Sequence, residues 1–318
     1  SCHKIKLIMK KLNIYCFLFT QFALLTAFSQ LPGSGISLES NVLDGVYIQE
    51  HIPTKRVVSY IHLREADVMW SKRVWRTIDL KEKQNHKFKY PLEPLNDRIC
   101  LYDVMKYGAL EEGSITVYDP MLPDNNDRFM YPVRPENGNA NDPAFQERLK
   151  GFFANKISLK RRDANGAIMY DDNGTEILFD TLEAYEPKDI IRYDIKEDWF
   201  FDKQRSMLDV RIIGICPVVY NENSITGAIN GVKPLFWLYF PECRFVFQNF
   251  FVYNPENDAQ RMSFDDLFWK RDFSSYIIKE SNVFDRKVTP NWSGLDALLE
   301  SERVRNEMFT FEHDLWHF

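Results

Sequence analysis

Two long runs rich in Ile, Val, Phe and Trp, residues 189–201 and 206–219, are separated only by residues 202–205. So short a link returns the chain antiparallel, because a parallel partner needs a crossover of about a dozen residues or more. The sequence therefore predicts a long hairpin, and a sheet around it. Residues 232–240 and 114–118 supply further strands. Residues 64–80 are ambiguous: Val68, Trp70, Val74, Ile78 and Leu80 share one alternation parity, which Lys72 and Arg76 break. On a helix these apolar residues scatter around most of the circumference. The two-residue period points instead to a strand around 73–80, after a short helical turn at 64–67.

Helix signals are brief. Asn96-Asp97 can cap a helix carrying Ile99, Leu101, Val104 and Met105, with Gly108 and Gly113 at its end. Asp142-Pro143 can start a short helix through 150. Ser263 and Asp266 form a capping box for a helix bearing Phe264, Leu267 and Phe268. The clearest helix spans 293–316: Leu295, Leu298 and Leu299 start an apolar stripe that Met308, Leu315 and Trp316 extend. Glu300 with Arg303 and Glu302 with Arg305 add i,i+3 ion pairs on it. Strands and helices do not alternate in a βαβ rhythm. The expected class is α+β, a mostly antiparallel sheet with several short helices and a C-terminal helix. Turn signals at 163–166 and 171–174 flank residues 167–170.

Residues 120–143 hold five prolines and five asparagines, a long loop between an N-terminal region, 44–119, and a C-terminal region, 144–318. The length of 318 residues suits two domains, or one large domain with long loops. The first residues read as an address. Lys10 and Lys11 precede an apolar stretch, and Ala27 and Ser29 stand at −3 and −1 before Gln30. That is the layout of a secretory signal cleaved between Ser29 and Gln30, with Met9 as the start and residues 1–8 as an upstream extension. A retained anchor is the other reading, because residues 12–38 carry no charge; Asn13, Thr20, Gln21 and Thr26 interrupt it. Cys16 lies too early for a lipid-bearing cysteine. Residues 30–43 are small and polar, a flexible leader. No later stretch reaches 18 consecutive apolar residues, so no further span is expected.

The chain carries 46 acids and 40 bases, a net charge of −6. Cleavage after Ser29 removes four lysines and no acid, which leaves −10. This is the wrong sign for phosphate neutralisation, so nucleic acid is not an expected partner. Anionic lipid headgroups would repel it too. The 25 Phe, 15 Tyr and 7 Trp residues suit both a core and protein interfaces.

Motifs for chemistry are missing. G-x-S-x-G, G-x-x-x-x-G-K-[ST] and G-x-G-x-x-G do not occur. His313 and His317 stand four apart beside Glu312, but a zinc site needs a third protein ligand. Asp171, Asn173 and Glu176 around Gly174 read as a turn, because the calcium-loop register is missing. No metal and no cofactor are expected. Of the cysteines left after cleavage, Cys216 and Cys243 can pair in an oxidising compartment, a loop worth about 3–4 kcal/mol. Alternatively Cys100, Cys216 and Cys243 are all reduced, buried thiols. Glu197, Asp198 and Asp202 around Trp199 offer carboxylates for a secreted hydrolase. On a strand, however, Glu197 shares a face with Trp199 and Asp198 points away. A periplasmic small-ligand binding protein is a third class. The short basic patches Lys160-Arg161-Arg162 and Lys72-Arg73 read as solvated faces or docking charges.

Three segments are distinctive: Asp44-Gly-Val-Tyr-Ile-Gln-Glu-His-Ile-Pro53, Leu63-Arg-Glu-Ala-Asp-Val-Met-Trp-Ser-Lys-Arg-Val-Trp-Arg-Thr-Ile-Asp-Leu80, and Asp103-Val-Met-Lys-Tyr-Gly108 followed by Ile115-Thr-Val-Tyr-Asp119. They resemble the gliding-motility family GldN, called PorN in non-gliding relatives, from about residue 44 to near the C-terminus. The resemblance implies a non-enzymatic periplasmic subunit of the type IX secretion machinery. It implies association with the outer membrane through a lipoprotein of the GldK (PorK) type, self-association in a large ring, and contact with an inner-membrane protein of the GldM (PorM) type. It brings no catalytic motif. Trp70, Arg73, Trp75 and Arg76 are the expected partner-binding residues, since Trp and Arg dominate hot spots. The alternative is that Trp70 and Trp75 fill the core.

Overall fold

The structure, a computed structural model, describes residues 56–315 apart from 96–97, 121–128, 137, 139–141, 161–177, 223–227, 255–256, 258, 260, 285–286 and 289–292. The signal, the leader, Asn96-Asp97, the turn signals at 163–166 and 171–174, Arg161, Arg162, Trp316 and His317 lie outside the described residues.

The long hairpin is the spine. Its arms are β5, Ile190–Asp202, and β6, Met207–Glu222, paired antiparallel along their lengths. β1, Val68–Asp79, lies antiparallel against β5 after a 3-10 turn, Glu65–Asp67. Alternating β-branched and aromatic residues hold β1 extended five residues earlier than the expected start at 73. β9, Tyr276–Glu280, pairs β1 on its other side. The short strands β2, Val117–Tyr118, and β8, Trp237–Tyr239, continue the sheet in the order β2-β8-β6-β5-β1-β9, and β7, Ile229–Pro234, pairs β6. Residues on both sides of 120–143 thus contribute to one sheet, with every pairing in it antiparallel. A separate ribbon joins β3, Ala154–Lys160, to β4, Leu178–Ala184.

The helices are α1, His86–Lys89; α2, Leu101–Lys106; α3, Pro143–Phe152; α4, Phe240–Phe247; α5, Phe264–Trp269; and α6, Leu295–Asp314. The class is α+β, as the sequence indicated. α5 starts in the expected capping box, with Ser263 and Asp266 satisfying each other's backbone N–H groups. α2 departs from expectation: Cys100 caps it, its Sγ accepting from the Asp103 N–H at 3.5 Å. The 232–240 run is split. Pro234 closes β7, and Phe240 and Pro241 open α4, where proline suits a first turn.

Among the described residues, three apolar clusters hold the fold. The largest packs Ile78, Tyr193, Ile195, Ile212 and Ile215 of the sheet against α1, α2, α4 and α5. Phe268 sits at its centre, with ring centroids of Phe88, Phe240, Phe247 and Phe273 within 6.0 Å. Neighbouring strand residues face opposite ways, so Val74 and Trp75 serve different clusters. Val74 joins Ile277 under Val304 and Met308 of α6. Trp75 joins Tyr118, Cys216, Val218 and Trp237, with Phe129 packed on them. The stripe of α6 differs from expectation at its start: Met308 is buried as expected, with Ser301 and Val304, while Leu295, Leu298 and Leu299 are 70%, 55% and 59% exposed. The helix meets β9 through its middle, where the Ser301 hydroxyl accepts the Ile277 N–H at 2.9 Å. That bond satisfies a strand donor next to the bulge in the β1–β9 pairing.

Candidate interaction surface

The four residues chosen on β1 part company by strand alternation. Arg73 alone is exposed, and its guanidinium grips Asp198 on β5 through two bonds of 2.5 and 2.6 Å. Trp70 is half-buried, stacked on Phe311 of α6 at 4.6 Å. Trp75 is buried between two lysines from the flanking strands, with Lys196 at 5.6 Å and Lys279 at 4.2 Å from its ring centroid. Arg76 is buried, donating to the Ser275 hydroxyl at 2.9 Å and the Ser275 carbonyl at 3.1 Å. Burial holds its guanidinium below the usual arginine range; the Glu197 charge opposes that, and Arg271 and Arg305 reinforce it.

An ionic network secures α6 to this strand. Lys72 meets Glu280 at 2.6 Å and Glu307 at 3.5 Å, while Arg303 pairs Glu300 at 2.6 Å and also reaches Glu307. The bonds to Glu300 push Arg303 above its ordinary value and hold Glu300 below its own.

The three carboxylates considered for hydrolysis do not converge. Glu197, wholly buried, meets Arg271 at 2.9 Å and accepts the Trp199 indole N–H at 3.1 Å. Asp198 belongs to Arg73 on the other face. Asp202 pairs with Arg205 at 2.8 Å, which holds its carboxyl below the usual range. Each carboxylate is thus committed to an arginine of its own.

Cys100, Cys216 and Cys243 are free, buried thiols. The Cys216–Cys243 disulfide left open by the sequence is not formed: the two residues sit in different apolar clusters. Burial pushes all three thiols up, Cys100 to about 12. His313 is exposed beside Asp314, and among the described residues no three His, Cys, Asp or Glu side chains gather to hold a metal. No helix among them is long and apolar enough to cross a membrane.

One feature escaped the sequence. A cleft of about 410 Å³ opens where β1, β5, residues 271–275 and α6 meet, with Arg76, Trp199, Arg271, Ser275, Arg305 and Phe309 in its lining. Its cations come from positions 76, 271 and 305, so no local motif announces it.

The family described as gliding motility associated protein GldN matches residues 63–317. The chain belongs to the GldN family. The match takes in the Trp/Arg segment of β1, the long hairpin and α6. GldN proteins are gliding-motility components, and the family's description names no catalytic activity. No match was found among curated proteins.

Proposed function

We propose that this GldN-family chain is a non-enzymatic structural subunit of the type IX secretion and gliding machinery. It resides in the periplasm, held at the outer membrane by a GldK-type lipoprotein. With that lipoprotein it builds a large ring, which meets the periplasmic part of a GldM-type inner-membrane protein. The family match over residues 63–317 carries this reading. The signal-like N-terminus supports export. The exposed leucines of α6, with Val283 at 96% and Phe284 at 72% exposure, support burial against other proteins.

The exposed Arg73–Asp198 pair is the part of the β1 patch a partner reaches without unfolding the sheet. Trp70 and Arg76 face α6, and Trp75 lies between Lys196 and Lys279.

The test is affinity purification from detergent-extracted envelope. A lipoprotein and an inner-membrane protein are expected with the chain in a very large particle. Recovery of the chain alone would contradict the reading. Arg73→Glu is expected to lower recovery without lowering the melting temperature; unchanged recovery removes Arg73 from the interface.

A further inference from the structure

We infer that the cleft between β1, β5 and α6 binds a carboxylate, taking an acidic side chain flanked by an apolar one from a protein partner. This rests on the reading of the chain as a subunit that works through protein contacts. Three guanidinium groups, Arg76, Arg271 and Arg305, line the cleft against one carboxylate, Glu312. Arg271 is occupied by Glu197, which is wholly buried behind it. Among the described residues Arg305 pairs with Glu302 alone, at 3.4 Å, and its side chain stays 63% exposed.

Arg76 is the decisive group. It is 9% exposed, its bonds go to Ser275 alone, and it makes no ion pair among the described residues. Its neighbouring carboxylate, Glu197, is already bonded to Arg271 and the Trp199 indole, so this buried cation has no carboxylate of its own. An entering carboxylate takes that place, bridging Arg76 and Arg305 by charge-assisted hydrogen bonds. The Ser275 hydroxyl accepts from Arg76 and keeps its own proton to donate to that carboxylate.

The walls select what accompanies the charge. Trp199, Phe273, Met308 and Phe309 are apolar, and Phe309 is 65% exposed at the rim. A free small acid has nothing to lay on that rim, whereas a peptide with an aromatic neighbour to its carboxylate does. The volume, about 410 Å³, lies at the small end of ligand sites and suits a pair of side chains.

The probes are acetyl-Phe-Glu-Phe-amide and its glutamine counterpart, titrated calorimetrically into the mature chain. The glutamate peptide is expected to bind at least about tenfold more tightly. Arg305→Gln, at an exposed position, is expected to weaken it about three- to tenfold while the melting temperature holds. Equal affinity for the two peptides overturns the inference, as does no loss in Arg305→Gln. Displacement by inorganic phosphate at the peptide's own concentration overturns it too, since the cleft would then be a general anion site. Envelope purification separates the two readings: if the wild-type chain retains its protein partners while neither peptide binds it, the cleft assignment falls and the subunit reading stands.

Discussion

Glu197 and Arg271 form an ion pair at 2.9 Å in which the carboxylate is wholly buried and the guanidinium is partly open to solvent. Trp199 shares the carboxylate through its indole N–H. Removing the arginine strands a charge in the interior, which is costlier than removing both partners. Arg271→Met is expected to cost about 2–3 kcal/mol in urea unfolding, below the full buried-pair penalty because Arg271 retains water contact. Adding Glu197→Leu to it is expected to recover most of that loss. A double variant as unstable as the single one would show that the pair is not what orders this region.

The buried stripe of α6 makes a second contrast. Met308→Ala empties part of the cluster under the helix and is expected to cost about 2–4 kcal/mol. Leu298→Ala removes a side chain that is already solvated and is expected to change stability by less than about 0.5 kcal/mol. Equal losses at the two positions would mean that the helix is turned differently on the sheet.

Gly214 lets an aromatic ring rest on the strand. A Cβ there would come within 2.4 Å of Phe129, whose ring is held by Tyr118, Trp237 and Tyr239. Gly214→Ala is expected to cost about 1–3 kcal/mol alone. In a Phe129→Ala background it is expected to be nearly neutral, a coupling read by a double-mutant cycle. Additive losses would refute the contact.

Two aspartates should respond to pH with opposite sign. Burial raises the Asp194 carboxyl above its ordinary value, against Arg192 and Thr77. Its favourable contribution is therefore complete below the unfolded value of about 3.9 and is lost as pH rises through the raised one. The bond from Lys87 lowers Asp272, so its contribution is present above about pH 3.9 and is lost as pH falls through the lowered value. Urea midpoints of Asp194→Asn and Asp272→Asn, followed against wild type from acid to neutral pH, should diverge in these opposite directions. Parallel curves would contradict both assignments.

Thiol accessibility tests the core. Cys100, Cys216 and Cys243 are buried and free. All three are expected to resist a disulfide reagent in the native mature chain and to react in denaturant. Only one reactive thiol in denaturant would reinstate a Cys216–Cys243 bridge.

The hairpin, the capping box at Ser263 and the C-terminal helix were legible because their signals are local: apolar runs around a four-residue link, a side chain three positions from its partner, and helical periodicity. Which way α6 faces was not legible. Leu295, Leu298 and Leu299 start the stripe in sequence and Met308 extends it, yet the sheet receives Met308 with Ser301 and Val304 and leaves those three leucines exposed, and Ser301 accepts a backbone donor on β9. The β1 residues show the same limit. Trp70, Arg73, Trp75 and Arg76 read as one patch, but alternation and neighbouring strands bury two of them and leave Arg73 outside. The arginine cleft was invisible because its parts come from three distant positions.

The most direct measurement is the native mass of the chain purified alone and after co-expression with its cognate GldK-type lipoprotein. A particle many times the mass of one 37.7 kDa chain is predicted in the second case, with both proteins in it. A lone chain of unchanged mass in both preparations would contradict the claim that this protein works by assembling with its neighbours.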